Sequence, residues 1–206
     1  YLGQYIAIAN CTDIVLETPF INTMKTVIRG GFDINYRPKF DKDDDLRYES
    51  LLHYVLRCRP MLYESYIPHF MILSGADVNY KNRSHQNALL QASYEKAFPD
   101  LVKIILERTN DIYCKDGMNK NAFERACDCY ISPGASSVYS KEDYQERAFN
   151  NIKVMLDFGF DLKKDNFFEK YLDRTIYELE ELGEPEPQNV IQKLRNRIRS
   201  LQEKKK

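Results

Sequence analysis

Apolar residues recur along the chain at helical rather than strand spacing, and they do so in four stretches that can be laid on one another. These are TMKTVIRGGFDIN (23–35), IPHFMILSGADVN (67–79), LVKIILERTNDIY (101–113) and NIKVMLDFGFDLK (151–163). In each, an apolar stripe precedes a two-residue break, and an Asp followed by an aliphatic residue comes next. Val27-Ile28, Met71-Ile72, Ile105-Leu106 and Met155-Leu156 fall at matching places. Gly31, Gly75 and Gly159 sit at the break, where a helix ends most easily in the left-handed conformation. Thr109 takes that place in the third stretch, which predicts a local cost. The Asp that follows suits a turn in which the carboxylate bonds its own backbone.

A second point of register lies ahead of each stripe. Ser50-Leu51-Leu52-His53, Asn87-Ala88-Leu89-Leu90, Asn121-Ala122-Phe123-Glu124 and Asn166-Phe167-Phe168-Glu169 each open on a helix-capping side chain followed by an apolar face. The unit is therefore cap, first helix, loop, second helix, break and Asp turn. In this the sequence resembles the ankyrin repeat family, with GADVN (75–79) as that family's consensus turn and SLLH (50–53) standing for its TPLH. The resemblance implies an all-α ankyrin solenoid over residues 1–183, about four repeats with a closing half-repeat at 166–182. It gives His53 a hydrogen-bonding role between neighbouring turns. The breaks at 31, 75, 109 and 159 are 44, 34 and 50 residues apart, against a family period of about 33. Insertions are therefore expected near 36–49, 57–66 and 130–146, the last with a short helical turn at 141–146. Residues 2–10 supply the first helix of the first unit.

Residues 184–206 differ in kind. Glu-Pro-Glu-Pro (184–187) ends the stack. After it Ile191, Leu194, Ile198 and Leu201, with Val190 beside them, form the apolar seam of a C-terminal amphipathic helix. NVIQKLRNRIRSL (189–201) also resembles the first helix of a SOCS box, which in ankyrin-repeat ligase adaptors recruits Elongin. Val190 matches the anchoring leucine, Leu194 replaces the usual cysteine, and the cullin-contacting proline motif is missing.

Composition narrows the classes of function. The 206 residues are 43% hydrophobic and 30% charged with 8 Gly and 8 Pro, enough apolar material for a packed core. No stretch has the length or apolarity of a membrane span or a secretory signal. Because the sequence starts at Tyr1 rather than Met, a further domain upstream is left open. Five scattered cysteines (11, 58, 114, 127, 129) fit a reducing, intracellular compartment, cytoplasm or nucleus, better than a disulfide framework. Residues 189–206 hold seven cations against Glu203, a local +6, so the body before them carries −7 of the net −1. Docking of the tail on the acidic body, in cis, is the simplest use of these charges. Binding to nucleic acid is disfavoured, because the tail cations surround their helix and the body repels phosphate.

No catalytic constellation emerges. Cys127-x-Cys129 lacks a second ligand pair for zinc, and Cys127 falls on a small buried position. The run Asp41, Asp43, Asp44, Asp45 fails the calcium-loop pattern, since Leu46 and Leu52 occupy the Gly and Glu places. Neither a metal nor a cofactor is implied, and His69 is placed on an exposed helix face. In the ankyrin family the concave face and projecting turns bind other proteins, so the sequence reads as a non-enzymatic protein-interaction module. Its partner-facing residues are expected among Tyr36, Arg37, Phe40, Tyr80, Arg83 and His85 of the turns, and Arg57, Arg59, Tyr94, Lys96 and Tyr130 at the ends of first helices. Tyr and Arg are the side chains that dominate interface energetics. The alternatives are a substrate-binding adaptor of a ubiquitin ligase working through the tail helix, or the ankyrin portion of a larger enzyme or of an effector acting in a host cytoplasm.

Overall fold

A computed structural model describes residues 17–37, 49–57, 66–95, 97–133, 140–163, 167–181 and 187–203. The expected helix at 2–10, Phe40, Arg59, Lys96 and most of the three insertions lie outside the described residues. Among those described, every regular element is an α-helix, as the apolar spacing predicts: α1 (Glu17–Arg29), α2 (Leu51–Arg57), α3 (Tyr66–Leu73), α4 (Ala88–Tyr94), α5 (Pro99–Leu106), α6 (Ala122–Ile131), α7 (Lys141–Phe158), α8 (Phe167–Glu181) and α9 (Pro187–Glu203). Extended pairing is limited there to one antiparallel bridge between Lys115 and Asn121. No helix among the described residues is long and apolar enough to cross a membrane.

The chain divides into two compact units, 1–122 and 123–206. In the first, α2 packs on α3 and on α4, α3 on α5, and α4 on α5. Two helix pairs are thus stacked with first helix on first helix and second on second. Their shared core is Leu52, Val55, Leu56, Met71, Ile72, Leu89, Leu90, Leu101 and Ile105, all buried. Short helices of seven and eight residues are marginal alone in water, so this packing is what holds them.

The helix ends are built alike. Gly31, Gly75 and Gly159 adopt φ of 91°, 97° and 110°. At each, the next N–H returns to a carbonyl in the helix: Phe32 to Val27, Ala76 to Met71 and Phe160 to Met155, at 3.0–3.1 Å. Thr109 does not take a positive φ. Its hydroxyl donates to the Ile105 carbonyl at 2.8 Å instead, the place a backbone N–H fills at the glycine turns. The cost expected of a non-glycine residue there is avoided by a change of donor.

The second unit is centred on aromatic rings. Phe123 stacks on Phe160 at 5.2 Å and meets Phe168 edge-on at 5.7 Å. Tyr171, buried beside them in sequence register, donates its hydroxyl to Asp128 at 2.8 Å. Burial first, then the neighbouring Cys127 and Asp128, pushes its pKa well above the usual tyrosine value. The stretch 141–146, read as a short turn in an insertion, is the start of the 18-residue α7. Ser140 and Asp143 form a capping box there, each side chain accepting the other's backbone N–H at 3.0 Å. The Ser140 backbone N–H, and after it the Ser140 hydroxyl, hold the exposed Asp143 carboxyl below its ordinary pKa.

α9 packs on α8 with Ile191, Leu194 and Ile198 fully buried, and Val190 and Leu201 half-buried at the edges of the seam. Arg195 donates to Glu169 at 3.0 Å. Arg197 binds both oxygens of Glu146 at 2.9 and 3.0 Å, and its guanidinium lies 3.5 Å from the Phe149 ring centre. The basic tail therefore docks in cis on the second unit rather than standing apart from it.

Candidate functional site

The first unit projects a series of fingers from between its helices, and their geometry is dictated residue by residue. Asp33, Asp77 and Asp111 each accept the N–H two residues on through Oδ1, at 2.8, 2.9 and 3.0 Å; Asp161 does the same at 2.9 Å in the second unit. Beyond two of these turns lie matching hairpins. In 81–86, Asn82 N–H donates to Gln86 O at 2.9 Å, and the Asn82 side chain accepts from the N–H groups of Ser84 and Gln86. In 115–120, Asp116 repeats every part of this with Lys120 and Met118. His85 and Asn119 hold the left-handed corner, φ 58° and 60°.

Neighbouring fingers are stitched together. Asn35 donates to the Gly75 carbonyl at 3.1 Å and accepts from Asp77 N–H at 2.7 Å. Asn79 bonds the Arg108 carbonyl at 3.0 Å and Asn110 N–H at 2.8 Å in the same manner. Gly117 N–H reaches Ser84 O at 2.9 Å, joining the hairpins themselves. His53 adds a deeper tie. Its Nε2 lies 2.9 Å from the Gln86 carbonyl and its Nδ1 lies 2.8 Å from Ser50 Oγ. A carbonyl only accepts, so Nε2 carries the proton and Nδ1 accepts from the serine hydroxyl. Burial lowers the His53 pKa from 6.5 to about 4, which keeps the ring neutral.

Of the expected partner-facing residues, Tyr36, Arg37, Arg57, Arg83, His85 and Tyr94 are exposed on the first unit. Arg37 lies 3.8 Å over the face of Tyr80, whose ring also meets His53 edge-on, so Tyr80 is a platform more than a free contact. Arg57 pairs with Glu49 at 3.2 Å. Tyr130 was expected to face a partner and is instead wholly buried in the second unit, with Gln145 donating to its carbonyl at 2.9 Å. His69, expected on an exposed face, is half-buried and 3.7 Å from the Asp100 carboxylate. Cys114, Cys127 and Cys129 are buried free thiols. Among the described residues, no group of three or more His, Cys, Asp or Glu side chains could hold a metal ion.

Three exposed side chains of the fingers escaped the sequence reading: Lys81, Lys115 and Met118. A signal for the first two was present, because a cation follows the turn aspartate by four residues in Asp33/Arg37, Asp77/Lys81 and Asp111/Lys115. No family model matches the chain, and no curated protein matches it.

Proposed function

We propose that this chain is a non-enzymatic protein-interaction module of the ankyrin type, binding another protein through the fingers of its first unit. The observation that carries the reading is the like-on-like stacking of two helix pairs whose fingers repeat the same hydrogen bonds and are stitched at fixed places by Asn35 and Asn79. Such stitching makes the backbone of the fingers rigid. Their exposed Tyr and Arg side chains then lose little freedom on binding, which is how a preorganised surface gains affinity. Free buried thiols fit a reducing compartment. The tail helix turns its apolar seam, including Leu194, onto its own chain, so recruitment through that seam would first require its release.

The test uses the full chain as bait for affinity co-purification with mass spectrometry, beside a Tyr36→Ser/Arg37→Ser variant. A protein partner that is depleted by the variant, at unchanged melting temperature, is the expected result. Partners retained equally by the variant and lost on disrupting α9 would move recognition to the tail and overturn the reading.

A further inference from the structure

The fingers hold a strip of cations on a unit whose charges otherwise lean acidic, residues 1–122 summing to zero with the strip included. Arg37, Lys81 and Lys115 are exposed, each four residues beyond a turn aspartate. Because Asn35 and Asn79 tie each turn to the next, these three positions stand side by side. The 81–86 hairpin adds exposed Arg83 and contains no acid. The 115–120 hairpin adds Lys120, and its one acid, Asp116, is buried with its carboxylate accepting the backbone N–H groups of Met118 and Lys120. The turn aspartates Asp33, Asp77 and Asp111 are exposed as well, each with one oxygen held by its own backbone. Apolar surface is interleaved: Met118 is 72% and Tyr36 54% exposed.

We infer that this strip receives an acidic segment of the partner, a short run of Asp or Glu carboxylates interleaved with apolar side chains. This rests on the partner-binding reading above and names the chemistry of what binds. The fifteen Lys and Arg of residues 1–122 balance fifteen Asp and Glu, so on this unit attraction for an acidic chain is local to the strip, and it guides such a segment to the fingers. Arg37, stacked on Tyr80, is held in a defined orientation, and the thioether of Met118 adapts to varied apolar neighbours.

The experiment measures fluorescence anisotropy of a labelled Glu/Phe peptide of about twelve residues, with a single-stranded oligonucleotide of equal length as second probe. The full chain is compared with Lys81→Glu/Arg83→Glu/Lys115→Glu and with Lys193→Glu/Arg199→Glu, which alters exposed cations of α9. We expect peptide affinity to fall roughly tenfold or more in the finger variant and to change less than about twofold in the tail variant. If the finger variant melts lower, Lys81→Gln/Lys115→Gln replaces it, with a smaller loss expected. Equal losses in both variants, no peptide binding to the parent chain, or tighter binding of the oligonucleotide overturns the inference. A co-purified partner that needs Tyr36 and Arg37 but tolerates reversal of the three cations overturns it while leaving the protein-binding reading intact.

Discussion

His53 shows how one side chain links local structure to stability. It has no exposure, and both ring nitrogens are committed, one to Ser50 of its own helix cap and one to the carbonyl of Gln86 in the neighbouring hairpin. Protonation would give Nδ1 a hydrogen that its serine partner must then accept, in a site closed to water. The folded-state pKa of about 4 against 6.5 means that the unfolded chain binds the proton first. The contribution is therefore complete above pH 6.5 and is lost progressively as pH falls from 6.5 towards 4. The pKa difference corresponds to about 3 kcal/mol. Urea unfolding at several pH values, comparing the parent with His53→Gln, should show the parent losing more stability across that window. Parallel curves for the two proteins would mean that His53 does not titrate with folding. The sequence foretold this tie through the SLLH likeness; it could not give the titration, because burial is set by helices distant in the chain.

At the scale of the element, two different chemistries end equivalent helices. Gly75 needs φ of 97° and has open space where a Cβ would go, so Gly75→Ala should cost about 1 kcal/mol from backbone strain alone. Thr109→Gly looks like a repair in the aligned sequence. It removes the hydroxyl donor to Ile105 and adds freedom to the unfolded chain, so we expect it to destabilise by about 1 kcal/mol. Chemical denaturation of the two variants checks both signs, and a stabilised Thr109→Gly would show that the threonine turn is a strained copy of the glycine one. Turns were the most legible elements, because Gly and Asp report local backbone needs. The extent of α7 is missed although Ser140-x-x-Asp143 spells its start, since the preceding Ser, Pro and Gly make 130–146 read as an insertion in which 141–146 is only a short helical turn. Tyr130 was misplaced for a related reason. It lies three residues after Cys127 and seven after Phe123, on the buried stripe of α6, yet its position at the helix end suggested solvent.

For the whole molecule, the tail is where charge and apolar pattern had to be combined. A two-heptad seam defines a face and leaves its occupant open, while +6 beside −7 favoured the chain's own body. The contacts are mixed in kind: Ile191, Leu194 and Ile198 are buried, and Arg197 is held by Glu146 and by the ring of Phe149. Burial of the apolar seam is the larger effect, because ion pairs with a solvent-exposed partner, as Glu169 and Glu146 are here, contribute about 1 kcal/mol each, whereas truncating a buried leucine costs about 2–5 kcal/mol. Leu194→Ala should therefore lower the stability of the second unit far more than Arg195→Ala, and raising the salt concentration should leave α9 docked. Hydrogen exchange reads this directly: in Leu194→Ala the amides of both α8 and α9 should lose protection, as α8 loses the cover of its partner. Faster exchange confined to α9 would mean that the helix lies on the unit without supporting it. In that case the seam would be available for exchange with another protein at little cost to the fold.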